Sequence, residues 1–131
     1  MTTDRVGVKR IGQIHVNVKD LARAVVFYRD VLGLRFLFEV PNMAFFECGG
    51  VRLMLGVAEK AELEHPASIL YYEVTDIGAS SAALKSRGVP FEAEPHKVAD
   101  LGDRDLWLGF FRDSESNVVA LMSEVPKAAR V

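Results

Sequence analysis

The feature that most constrains this chain is an internal repeat. Val18-Lys19-Asp20-Leu21, followed by Gly33 and Phe36, returns as Val74-Thr75-Asp76-Ile77, followed by Gly88 and Phe91, at an offset of about 56 residues with one residue lost on the way. A chain of 131 residues suits one hydrophobic core. A duplication of this period therefore means two copies of one supersecondary unit inside a single domain.

The first copy opens with alternation. Ile14, Val16 and Val18 share one face and Gln13, His15 and Asn17 the other, as in a half-buried strand. Asp20 stands where a helix N-cap belongs. Leu21, Ala24, Val25, Tyr28, Val31 and Leu32 recur at helical spacing, and Gly33 supplies the stop, so a helix is predicted from about Asp20 to Leu32. Three apolar runs follow, Leu34–Val40, Met43–Cys48 and Val51–Val57, parted by the turn residues Pro41-Asn42 and Gly49-Gly50.

The stretch from 58 to 67 loses the alternation, gains charge and closes with Pro66, which marks a linker. The second copy then offers a strand at Ile69–Val74 and a helix capped by Asp76, with Ile77, Ser81 and Leu84 inward before Gly88. Strands near Phe91–Glu94, Leu106–Arg112 and Asn117–Glu124 complete it, the last two joined by Asp113-Ser114-Glu115-Ser116. Lys97–Asp105 reads as an irregular loop placed to fold across a pocket mouth. The expected fold is α+β: two tandem βαβββ modules, about 9–57 and 68–125, in one domain over 1–131. Each sheet covers one face with its own helix, so the other faces form a cupped, partly closed eight-stranded mixed sheet with helices outside and a ligand hollow within.

Composition removes several function classes. Lys and Arg are scattered along a chain of net charge −2, without the basic patch that phosphate backbones require, so no nucleic acid is expected. No apolar run approaches the ~20 residues of a membrane span, and residues 1–10 lack a signal-like apolar stretch. The single Cys48 has no internal disulfide partner. A cytoplasmic protein is the expectation.

Ile14-His15-Val16-Asn17-Val18-Lys19-Asp20-Leu21 and Phe27-Tyr28-Arg29-Asp30-Val31-Leu32-Gly33-Leu34 resemble the opening of glyoxalase/bleomycin-resistance/dioxygenase proteins, the vicinal-oxygen-chelate superfamily. Phe111-Arg112-Asp113-Ser114-Glu115-Ser116-Asn117 is similar to the aromatic-x-Asp-Pro-Asp-Gly-Asn turn before that family's last strand, with Ser114 and Ser116 in place of Pro and Gly. The resemblance implies a small-molecule partner, a homodimer and, in enzymatic members, one divalent metal held by His or Glu of the first and last strands. Counted from the Val-x-Asp motif, those slots fall on Gln13, Leu53, Ile69 and Ala120. Three of the four are apolar, so no family-type metal and no cofactor are expected. A two-residue slip at a bulge brings His15 into the first slot, and His15 with Glu73 or Glu124 is then the donor set for a divalent ion.

The polar face of the first strand and its counterpart supply the site candidates. Gln13, Asn17, Leu53, Ile69, Ala120 and Met122 are expected to line the hollow, with His96 and Trp107 at its mouth; the plainer reading makes His96 a surface residue and Trp107 core. His15, oriented by Glu73 and supported by Tyr71, is the candidate catalytic group, since an imidazole of ordinary pKa ~6.5 moves protons at neutral pH. The plainer alternative is a structural hydrogen-bond network. Two functions stay open: a binding protein with a metal-free pocket, and a metal-dependent lyase, isomerase or dioxygenase of the glyoxalase I type that uses His15 and acidic residues.

Overall fold

The computed structural model describes residues 6, 7, 9–58 and 65–127; the expected linker lies outside them apart from its two ends. Module one runs β1 (Gln13–Asn17), α1 (Leu21–Val26), β2 (Arg35–Val40), β3 (Met43–Cys48) and β4 (Val51–Gly56). Module two runs β5 (Leu70–Glu73), α2 (Ile77–Ser86), β6 (Phe91–Asp100), β7 (Arg104–Arg112) and β8 (Val118–Pro126). The repeat is reproduced strand for strand, in sheets of order β1-β4-β3-β2 and β5-β8-β7-β6. In each sheet the first strand pairs parallel with the last, and the other pairings are antiparallel. The two sheets remain separate and do not close on each other.

Both helices start as their sequences dictate. Asp20 accepts from the Arg23 N–H at 3.1 Å and Asp76 from the Ala79 N–H at 3.0 Å, each satisfying an orphan donor of the first turn. After Val26 the first helix widens into one π-helical turn, Phe27–Val31, where the Leu32 N–H reaches back to the Phe27 carbonyl at 2.8 Å. Phe27 and Tyr28, adjacent in sequence, are both buried there. Gly33 and Gly88 end the two helical segments at φ of 84° and 87°, a region that disfavours any side chain.

The rows of each sheet that carry the helix form one continuous core. Val16, Leu53, Leu55, Ala44 and Phe46 of sheet one, Val119, Leu121 and Phe111 of sheet two, and Ala24, Tyr28, Ile77 and Leu84 of the helices belong to a single buried cluster. The alternate rows face away from it and are left open, which sets where a site can lie. No helix among the described residues is long and apolar enough to cross a membrane.

One expected element differs. Lys97–Asp100 is not loop but the second half of β6, with Lys97 opposite Trp107 and Asp100 opposite Asp105, leaving only residues 101–103 as the turn. Three register shifts along β6, with Pro95 among them, break the two-residue period by which a strand is read. Pro95 is tolerated because β6 is an edge strand.

Candidate functional site

Residues opposite one another in a ladder share a face, so the register fixes what surrounds each candidate. On the open face of sheet one, Gln13, Arg52, Glu47 and Arg35 form one lateral row, and His15, Met54, Phe45 and Phe38 the next. On the open face of sheet two the rows are Tyr71, Ala120, Phe110 and Ala93, then Glu73, Met122, Leu108 and His96. Ile69, just ahead of β5, follows the parity of Tyr71 and is half exposed.

Two expected lining residues lie elsewhere. Leu53, counted into the hollow from family spacing, is 2% exposed in the helix-side core, because the pleat of β4 sends Leu53 and Leu55 inward and Arg52 and Met54 outward. Trp107 pairs with Lys97 and Ser123 on the helix side of sheet two, where it lines a hollow with Ile77, Ser81, Pro95 and Asp105. His96 is exposed in β6, its Nδ1 2.7 Å from the Glu94 carbonyl. Ala120 does belong to the open face and is fully covered. Its strand neighbours Tyr71 and Phe110 meet edge to face above that row at 6.1 Å.

His15 lies in a hollow of about 180 Å³ with Asn42, Met43, Met54 and Gly56. Its ring rests on Gly56 so closely that a Cβ there would stand 2.7 Å from Nε2. No described residue hydrogen-bonds the imidazole, and neither Glu73, Tyr71 nor Glu124 reaches it; Glu124 pairs instead with Arg104 at 3.6 Å. Asn17 is buried and spent on structure, its side-chain N–H donating to the His65 carbonyl at 3.0 Å and its own carbonyl accepting from Asn117. Among the described residues no three His, Cys, Asp or Glu side chains converge. The donors among the described residues of one chain therefore do not converge as a divalent ion requires, which needs several nitrogen or oxygen ligands at once.

Arg52 was not singled out by the sequence, although the parity of β4 opposite Leu53 and Leu55 carries the signal. Its Nε donates to Gln13 Oε1 at 2.8 Å and its Cζ lies 5.2 Å from the Phe45 ring centroid, a cation–π contact. Phe38 stacks on Phe45 at 4.5 Å, and Gln13 Nε2 approaches Met54 Sδ at 3.7 Å. The open face of sheet one thus has an ordered polar edge beside an aromatic and thioether floor.

The turn between β7 and β8 is a second polar cluster, built differently. Asp113 accepts four hydrogen bonds, from the Glu115 and Asn117 N–H groups, the Asn117 side chain and the Tyr28 hydroxyl at 2.7 Å. Burial and the Asp113 charge push the Tyr28 phenol far above its ordinary range. Glu115 reaches across to module one, accepting from the Lys19 and Asp20 N–H groups, both at 2.8 Å, and pairing with Arg23 at 2.7 Å. Burial alone would raise the Glu115 carboxyl, but the Arg23 guanidinium and those two N–H groups bring it down to about 2. This cluster ties the modules together, and the carboxylates of Asp113 and Glu115 are taken up by donors of the chain itself.

Comparison with known proteins bears on the same chain. Metallothiol transferase FosB of Staphylococcus haemolyticus is 36% identical over 70 residues, 53% of this chain and 48% of that protein, so the chain spans about half the length of the curated relatives it matches. A Bacillus subtilis protein, YraH, is 29% identical over 126 residues, 83% of this chain and 94% of its own length. Among solved structures, lactoylglutathione lyase from Agrobacterium tumefaciens superposes with a TM-score of 0.72 at 21% identity, covering 89% of this chain and 95% of that one. A glyoxalase/bleomycin resistance protein/dioxygenase superfamily member from Sphaerobacter thermophilus gives 0.76 at 21% identity, covering 89% and 98%. At such identity these structures speak for the fold alone. Residues 10–125 match the sequence model of one family, and the chain belongs to it: the Glyoxalase/Bleomycin resistance protein/Dioxygenase superfamily.

Proposed function

We propose that this protein binds a small apolar or aromatic molecule on its open sheet faces and does so without a divalent metal. The observation that carries the reading is the chemistry of those faces. Phe38, Phe45 and Met54 on sheet one and Tyr71, Phe110, Met122 and Leu108 on sheet two form apolar stretches, with His15, Glu73 and His96 at the ends of their rows and the polar row Gln13, Arg52, Glu47 and Arg35 alongside, a mix of apolar surface and placed polar groups that suits a small-molecule site. Phe38, Ile69 and Tyr71 are 44%, 45% and 48% exposed, so both open faces present apolar side chains to water. Where enzymatic relatives place imidazole or carboxylate, this chain offers Gln13, Ile69, Ala120 and, on the outward parity of β4, Arg52 and Met54.

A homodimer completes the site in this reading, each open face gaining its opposite wall from a second copy. One observation favours the second reading, a metal-dependent enzyme of the glyoxalase type. His15 has no hydrogen bond to a described residue and lines a hollow, so a partner copy bringing Glu73 or Glu124 would supply carboxylates beside it.

The test is a thermal-shift screen of chelator-treated protein against aromatic acids, amides and phenols, repeated with added nickel, zinc or manganese. A ligand that binds only the folded state raises the melting temperature by mass action. The binding reading expects shifts that are the same with and without metal. Shifts that appear only after metal is restored would replace it with the second.

A further inference from the structure

On the reading that sheet one's open face takes a small molecule, we infer that the ligand is a carboxylate with a flat apolar body, and that Arg52 selects it. Arg52, like its row neighbour Arg35, carries charge on this face without an ion pair among the described residues. No carboxylate among the described residues pairs with it within 4.0 Å, although Glu47 is its cross-strand neighbour. Glu47 turns instead to the Gly50 N–H, at 2.7 Å, and the next residue in the row, Arg35, is a second cation. The row therefore keeps an excess positive charge beside an apolar floor.

The guanidinium is also held in place by neutral partners. Gln13 Oε1 takes the Nε–H at 2.8 Å, the Phe45 ring lies under Cζ at 5.2 Å, and Gln13 is itself placed against Met54 Sδ. These contacts use Nε and one face of the fork. The outer Nη1–Nη2 edge makes no hydrogen bond to any described residue, and two parallel N–H donors on a fixed plane match the two oxygens of a carboxylate. Phe38, stacked on Phe45 and 44% exposed, with Met54 beside it, offers a surface for a flat apolar body attached to that carboxylate. Gln13 is a positioning residue in this scheme, since it orients the fork without reaching the anion. Arg52 makes the ionic contact.

The experiment is calorimetric titration of the full chain with 2-naphthoate and with its neutral counterpart 2-naphthamide. The wild type is expected to bind the acid at least about tenfold more tightly than the amide, with the preference shrinking as salt is raised. Arg52→Met, which keeps the apolar stem, should reduce that ratio to about one, with the larger loss falling on the acid. Arg52→Lys should keep part of the preference, because it retains the charge but not the fork. Gln13→Ala should weaken acid binding alone. Equal affinities for acid and amide in the wild type would overturn the role of Arg52 and leave the small-molecule reading standing. Failure of both compounds to bind would overturn both. A shift of the dimer dissociation midpoint in Arg52→Met, with the acid-to-amide ratio unchanged, would assign Arg52 to subunit contact instead.

Discussion

The turn at Asp113–Asn117 and the open face of sheet one are both rich in polar groups, yet they are built on opposite principles. At the turn, acceptors and donors are matched inside the chain: Asp113 serves four donors and Glu115 takes two backbone N–H groups and an arginine. On the open face, His15 has no hydrogen bond to a described residue and the outer edge of Arg52 is unused. A saturated buried network fixes a structure, whereas unspent polarity beside apolar surface is what a ligand can engage. The contrast separates the residues that hold the modules together from those whose polar groups are left open among the described residues.

Substitutions can break that contrast, and the largest effect is expected at the turn. Asp113→Ala leaves the Tyr28 hydroxyl and buried N–H groups without acceptors and should cost about 4 kcal/mol, given ~1.5–3 kcal/mol for a hydrogen bond to a charged group. Urea unfolding measures this; a loss below about 1 kcal/mol would mean the network is not saturated as described.

Glu115→Gln should cost about 3 kcal/mol at neutral pH, the free energy matching a carboxyl lowered from its ordinary 4.5 to about 2. Because the folded-state value is the depressed one, this stabilisation is complete above pH 4.5 and is lost as pH falls through about 2. Denaturation of the wild type across that window should show the decline, and the Gln variant should show a flatter curve.

On the open face the same kinds of change should leave stability nearly untouched. Gly56→Ala forces the His15 ring off its seat, where a Cβ would stand 2.7 Å from Nε2, but the displaced atoms are the far end of an exposed side chain. Stability should change by less than about 1 kcal/mol, while the His15 ring resonances shift in an NMR spectrum. A larger loss would place His15 among the structural residues.

Ser116 sharpens the comparison from the other side. Its φ of 67° lies in the region that favours glycine and stores strain in the turn, so Ser116→Gly should stabilise by about 0.5 kcal/mol, the remainder after glycine's own entropic cost. His15→Ala should stay within about 0.5 kcal/mol of the wild type, as surface changes do.

The architecture was readable because local chemistry and periodicity agreed. Alternation in β1, the caps Asp20 and Asp76, the stops Gly33 and Gly88 and the repeat of the whole unit each point to the same modules, and the structure follows them. The candidate site was less legible. Family spacing places Leu53 in the hollow, but the parity of its own strand turns Leu53 to the core and Arg52 outward. The length of β6 is hidden by Pro95 and three register shifts, while Trp107 packs against the core on the helix side, as its plainer reading has it. Gln13, His15 and Asn17 share a face on paper. Only the packing reveals that Asn17 is consumed at the module seam, that Gln13 serves Arg52, and that His15 stays uncommitted.

In the proposed function the open faces recognise a molecule through apolar and aromatic contact and do not rely on a divalent ion. Elemental analysis of untagged protein, purified without chelator, tests it most directly. The account predicts nickel, zinc, iron and manganese all far below one ion per chain; near-stoichiometric content of any of them would contradict it.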